Sequence, residues 1–109
     1  MAKHEFALMD HAPMPGVRYD TYEGDCLNCA VVDDDALEGR LRDFAVLPCY
    51  AHTLDCPWEG LCTCGITLIP PHIAGQMHRM VCSDPAFDAL SAMLIKAECE
   101  NKWIIHFGI

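Results

Sequence analysis

The sequence predicts an α+β fold, an antiparallel sheet with helices on one face. Three features carry that expectation. Two strand-like runs, residues 47–54 and 61–69, flank a short segment, 55–60, that holds the Pro and Gly a loop needs, so they should pair as a hairpin. Helical periodicity follows in the stretch after that hairpin. A strand-like run also lies near each end of the chain, EFALM at 5–9 and KWIIHF at 102–107.

Taken in order, residues 5–9 put Phe6 and Leu8 on one face of a strand. Residues 10–25 form a long connection with Pro13, Pro15, Gly16 and Gly24, and Tyr19 and Tyr22 as its anchors. A connection of that length is either functional or pinned to the body of the protein. Residues 26–32 (CLNCAVV) read as a strand that stops at Asp33, Asp34 and Asp35. Three acids before an apolar-periodic run mark a helix start, one as cap and the others at the positive end of the dipole. Leu37, Leu41 and Phe44 then form one stripe of a helix over 34–45.

In the hairpin, Cys62, Cys64, Ile66 and Leu68 should share the core face, with Thr63, Gly65 and Thr67 opposite. Pro70 and Pro71 begin a helix whose buried stripe is Ile73, Met77, Met80 and Val81. Asp84 and Pro85 start the next, with Phe87, Leu90, Met93, Leu94 and Ala97 on one face as far as about residue 100, where Asn101 closes it. From residue 26 onward the order is that of a split βαβ, ferredoxin-like (βαββαβ) sheet, with 5–9 as an extra N-terminal edge strand.

Length and composition bound the rest. A chain of 109 residues is one domain, 1–109, and with 52% hydrophobic and 21% charged residues it can bury a core. Seven Lys and Arg against sixteen Asp and Glu give a net charge of -9. That charge argues against binding nucleic acid or an anionic membrane, and leaves a basic protein as the complementary partner. No signal-peptide run and no apolar stretch of about 20 residues occurs, so a cytoplasmic protein is expected. Its eight cysteines are then reduced thiols rather than a disulfide framework.

Several constellations could carry chemistry. Cys26 and Cys29 have half of a zinc spacing, and Cys49, His52 and Cys56 lie near the hairpin, so these five are the metal or thiol candidates, with zinc as the alternative to having no cofactor. Structural thiols are the simpler reading, because the second half of the zinc signature is missing. A pocket beside the 47–71 hairpin would be lined by Tyr19, Tyr22, His52, Asp55 and Trp58, the site of a small enzyme if the protein is one; no catalytic residue is assigned. His78 and Cys82, at i and i+4, suit a surface or subunit contact as well as a metal, and His106 suits a satisfied core histidine. The Asp33–Asp35 run supplies too few oxygens for a divalent cation. Phosphate-loop, dinucleotide, nucleophile-elbow and HExxH motifs are absent from the sequence.

RYDTYE (18–23), VDDD (32–35), HTLD (52–55), GITLIPP (65–71) and HFGI (106–109) together resemble a group of short, uncharacterised bacterial proteins, some of the kind found in mobile gene cassettes. The resemblance implies a bacterial cytosolic protein and no particular activity, and the dense cysteines here depart from it. The function expected is that of a small acidic binding or interaction protein that self-associates, a dimer being favoured. Its contact would be a sheet face or edge, with Thr63, Gly65, Thr67, Ile104 and His106 on the uncovered face.

Overall fold

The computed structural model describes residues 3–9, 11–19 and 29–108. Six strands form one antiparallel sheet: β1 (Lys3–Leu8), β2 (Ala30–Asp33), β3 (Pro48–Ala51), β4 (Pro57–Glu59), β5 (Ile66–Ile69) and β6 (Ile104–Phe107), in the order β2-β1-β6-β5-β3-β4. The helices are α1 (Asp34–Glu38), α2 (Leu41–Phe44), α3 (Pro71–Val81) and α4 (Asp88–Glu100). The mixed α+β class is therefore as the sequence predicts. Among the described residues no helix is long and apolar enough to cross a membrane.

The strand order departs from the expected one. A split βαβ sheet would set β2 beside β5, but the C-terminal strand takes that place, with β1 beyond it. β1 is therefore no edge strand. It is paired on both sides, and His4 and Phe6 are fully buried while Lys3 is exposed. The predicted hairpin does form, with Tyr50 opposite Leu68 and Ala51 opposite Thr67. Its supposed loop contributes a further strand, β4, on the far side of β3. Ala51 N–H donates to Cys56 O and Gly60 N–H to Leu47 O, so residues 56 and 60 bond inward and Pro57 and Glu59 present their backbones outward. Pro57 brings no amide hydrogen to that open edge, the position in a sheet where proline is tolerated.

Directly opposed residues share a face. The registers put Ala30, Val32, His4, Phe6, Ile104, His106, Thr67 and Ile69 on one side. Phe6, Ala30, Val32, Cys49, Ile69 and Ile104 join one buried cluster with Leu37, Phe44, Ile73, Met77, Leu90 and Leu94 from the helices. Thr67, Ile104 and His106 are fully buried there, so the open sheet face that the sequence suggested for self-association does not contain them. The other face is also covered along β5, where all four residues are buried. The Tyr50 and Trp103 rings meet nearby at 5.9 Å.

Local signals fared better on the helices than on the turns. Phe87, Leu90, Leu94 and Ala97 are buried as the periodicity requires, and Asn101 ends α4 in the left-handed conformation at φ 56°. Asp84 caps as expected, its carboxylate accepting from Ala86 N–H at 3.0 Å, though one 3-10 turn, Pro85–Phe87, precedes α4. The helix expected over 34–45 is broken at Gly39 and Arg40 into α1 and α2, with Leu37 and Phe44 still buried. Cys62 and Cys64 do not face the core: β5 begins only at Ile66, and Cys64 is exposed in the preceding turn.

Two substitutions test this description by urea denaturation. Leu94→Ala should cost about 2–5 kcal/mol, the range for emptying a buried leucine site. Asn101→Val should cost about 1–2 kcal/mol because a β-branched residue resists the left-handed conformation, whereas Asn101→Gly should cost less.

Candidate functional site

Two polar features stand out, one inside the core and one at the surface. The internal one is a continuous run of hydrogen bonds from α1 to the turn before β5. His4 Nε2 lies 2.8 Å from a carboxylate oxygen of Asp34, and His4 Nδ1 lies 2.8 Å from Nε2 of His106. His106 Nδ1 lies 3.2 Å from Oγ1 of Thr67, which accepts the backbone N–H of Cys62 at 2.8 Å. His4, Thr67 and His106 have no exposed surface. The two imidazoles stack with centroids 5.0 Å apart, and Phe6 packs on His106 at 4.8 Å.

A carboxylate can only accept, so His4 carries its proton on Nε2 and receives one from His106 at Nδ1. His106 then carries its proton on Nε2 and accepts from the Thr67 hydroxyl. With both rings neutral every ring nitrogen is satisfied, as burial demands. Burial, and secondarily the neighbouring His4, push the His106 pKa down to about 3 from 6.5. The Asp34 partnership also revises the cap expectation. Asp33 occupies the cap position without a side-chain hydrogen bond, and Asp34 turns to His4 instead.

The surface feature is a cleft of about 430 Å3 lined by Lys3, Glu5, His52, Cys64, Gly65, Ile66, Phe107 and Gly108. His52 sits in its wall with φ 61°. Thr53 N–H donates to Ala51 O at 2.7 Å, closing a γ-turn about His52, a strained form for a residue with a side chain. Three hydrogen bonds to two neighbours hold it there. His52 N–H donates to Ile66 O, Tyr19 N–H donates to His52 O, and His52 Nδ1 donates to Tyr19 O at 3.1 Å. That last bond fixes the tautomer, leaving the lone pair on Nε2, 3.4 Å from the N–H of Ile66. Gly65 must be glycine because a Cβ would stand 2.7 Å from His52 Nε2 and 3.0 Å from Cys62 Sγ. A Cβ on Gly108 would strike the backbone oxygen of Thr63.

Of the pocket residues read from sequence, His52 lines the cleft. Tyr19 is outside the cleft lining but bonds His52 through its backbone, while its ring hydroxyl accepts from Met14 N–H. Asp55 and Trp58 are exposed and outside the cleft lining, and Tyr22 lies outside the described residues. Of the thiol candidates, Cys26 lies outside the described residues, Cys29 is half-buried, Cys49 buried and Cys56 exposed. Burial pushes the Cys49 thiol up to about 12, which disfavours the thiolate a metal needs. His78 is half-buried, and Cys82, at the end of α3, donates its thiol to Arg79 O.

Among the described residues, the grouping of three candidate ligand side chains within 4.8 Å of one another is Asp34, Asp35 and Glu38. Asp34 is engaged by His4, and three carboxylates on one short helix fall short of a calcium shell, so this is a solvated helix start. Compared with known proteins, the chain matches no family model, no curated protein and no solved structure. Fold and geometry together thus define a small acidic α+β protein with a buried histidine pair and a polar cleft.

Sequence reasoning missed His4, Asp34, Thr67 and His106 as a group. The available signal was a histidine at an apolar strand position twice over, His4 two before Phe6 and His106 two after Ile104.

The buried ring gives a pH dependence of known sign. Between pH 6.5 and about 3 the unfolded chain binds a proton at His106 that the folded chain refuses. Stability from this group is therefore complete above pH 6.5 and declines as pH falls, by up to about 1.4 kcal/mol per unit. Urea denaturation at pH 7.5 and 5.5 should show the decline, and His106→Gln should flatten it. In thiol labelling at pH 8, exposed Cys56, Cys64, Cys82 and Cys99 should react first and Cys49 last.

Proposed function

We propose that the protein is a small acidic binding protein whose ligand, a small polar molecule, sits in the cleft between the turn of residues 62–65 and the ends of β1 and β6. The supporting observation is His52. A non-glycine residue is held in a strained turn so that its imidazole, with one tautomer set by Tyr19, forms part of the cleft wall. Strain of that kind gathers at binding and catalytic positions. Lys3 and Glu5, two residues apart on one strand face, offer the cleft a cation and an anion, and the ring of Phe107 offers it an apolar surface. Strands supply half of this lining, Lys3, Glu5, Ile66 and Phe107, and so give the site a preformed floor.

A library of small polar metabolites screened by 1H–15N NMR tests the reading. Binders should shift the amides of Gly65, Ile66 and Gly108, and Lys3→Ala together with Glu5→Gln should weaken them tenfold or more. Binders that map elsewhere and ignore both substitutions would remove the cleft from consideration.

Self-association is a second, separate proposal, favoured by β2, an edge strand whose Val31 is 44% exposed. Light scattering over a dilution series should show a dimer that weakens in Val31→Lys. A monomer at every concentration would dismiss it.

A further inference from the structure

The buried run of hydrogen bonds has a direction. Every donor points the same way, from Cys62 N–H to the Thr67 hydroxyl, then to His106, to His4 and to Asp34. One end is a half-exposed carboxylate and the other is a half-buried turn that walls the cleft. We propose that this run is a proton-operated latch: one proton taken up at the turn reverses the bonds between Thr67 and His4 and loosens residues 62–65 from β5.

The atoms balance without any co-reactant but water. A proton reaches Thr67 Oγ1 through water admitted at the half-buried turn as the hydroxyl hydrogen passes to His106 Nδ1. The His106 Nε2–H bond breaks, and that proton joins His4 Nδ1. One positive charge has entered and rests on His4, whose Nε2–H keeps its bond to the Asp34 carboxylate. His106 ends neutral in its other tautomer. Thr67 Oγ1 now accepts from both His106 and Cys62, so its own hydrogen is left without an acceptor in a fully buried position. Water relieves this, entering by the half-buried turn whose Cys62 is bonded to Thr67.

The surroundings leave the charge nowhere else to rest. Among the described residues, Asp34, from α1, is the charged group bonded to the pair. β2 sets Val32 opposite His4, β3 sets Ala51 opposite Thr67, and β1 lays Phe6 against His106. α3 and α4 contribute Ile73, Met77, Leu90 and Leu94 to the adjoining core. His106 is itself held neutral by burial. The turn that is released carries Cys64 and Gly65 of the cleft wall, and Gly65 O holds Gly108 N–H at 2.7 Å. Acid therefore opens the cleft from one side, whatever the cleft binds.

An NMR titration of the full chain from pH 7.5 to 5 tests the latch. The amides of residues 62–65 and of Gly108 should move with the same midpoint as the two imidazoles. Ring nitrogen shifts should report His106 passing from the Nε2–H to the Nδ1–H form. Exchange of the Cys62 amide, corrected for its intrinsic pH dependence, should quicken at least tenfold. Asp34→Asn, at a half-exposed position, should lower the shared midpoint by removing the partner of the charged ring. Thr67→Val should leave the rings titrating and the turn still. The latch is overturned if the rings titrate while the turn stays fixed, if Thr67→Val responds as the parent does, or if neither ring titrates before the protein unfolds.

Discussion

Two imidazoles without access to water are tolerable only where each ring nitrogen has a partner, and that requirement ties this fold together. His4 comes from the first strand and His106 from the last, 102 positions apart, yet their nitrogens lie 2.8 Å from one another. For the bond to exist β1 must lie beside β6, in the register that sets Phe6 opposite His106. For the outer nitrogens to be satisfied, α1 must deliver Asp34 to one side and β5 must deliver Thr67 to the other. Three strands and a helix are thus placed by one polar demand inside an otherwise apolar core. Such a network adds little net stability, since each bond replaces one with water, but an alternative register would leave polar groups buried and unpaired. Specificity of strand order is its contribution.

The sheet is enclosed unevenly. Phe6, Val32, Ile69 and Ile104 of one face share a buried cluster with helix residues, and the other face is covered along β5, where Ile66 and Leu68 are buried and Tyr50 meets Trp103. Towards the end where β1, β5 and β6 run out, cover gives way to the cleft. The polar residues of the cleft alternate along β1 with buried ones: Lys3 and Glu5 face outward, while His4 of the buried run and Phe6 of the core face inward. Period two in a single strand therefore builds both features, and the turn of residues 62–65 touches each.

Legibility of the sequence followed the range of the interactions. The stripes of α3 and α4, the Asp84 cap and the Asn101 stop were legible because spacing and backbone preference over a few residues decide them. The break at Gly39, the strand hidden in residues 57–59 and the late start of β5 were not. At residues 57–59 a loop-like local preference yielded to pairing with β3. Of the site, His52 was singled out, but its γ-turn depends on Tyr19 and Ile66, which lie 33 residues before it and 14 after it. Cys62 and Cys64 followed the alternation of a strand on paper, and without a strand there the alternation had no meaning.

The sequence by itself determined the α+β class, the helical faces, the paired hairpin and the acidic, thiol-rich character of the chain, because composition and short periodicities act locally. Only the tertiary structure decided that the first strand lies inside the sheet and that His4, His106, Asp34 and Thr67 form one run. Nothing local distinguishes a histidine that will meet another histidine from one that will meet water. That choice is made when distant strands pair and solvent is excluded from between them.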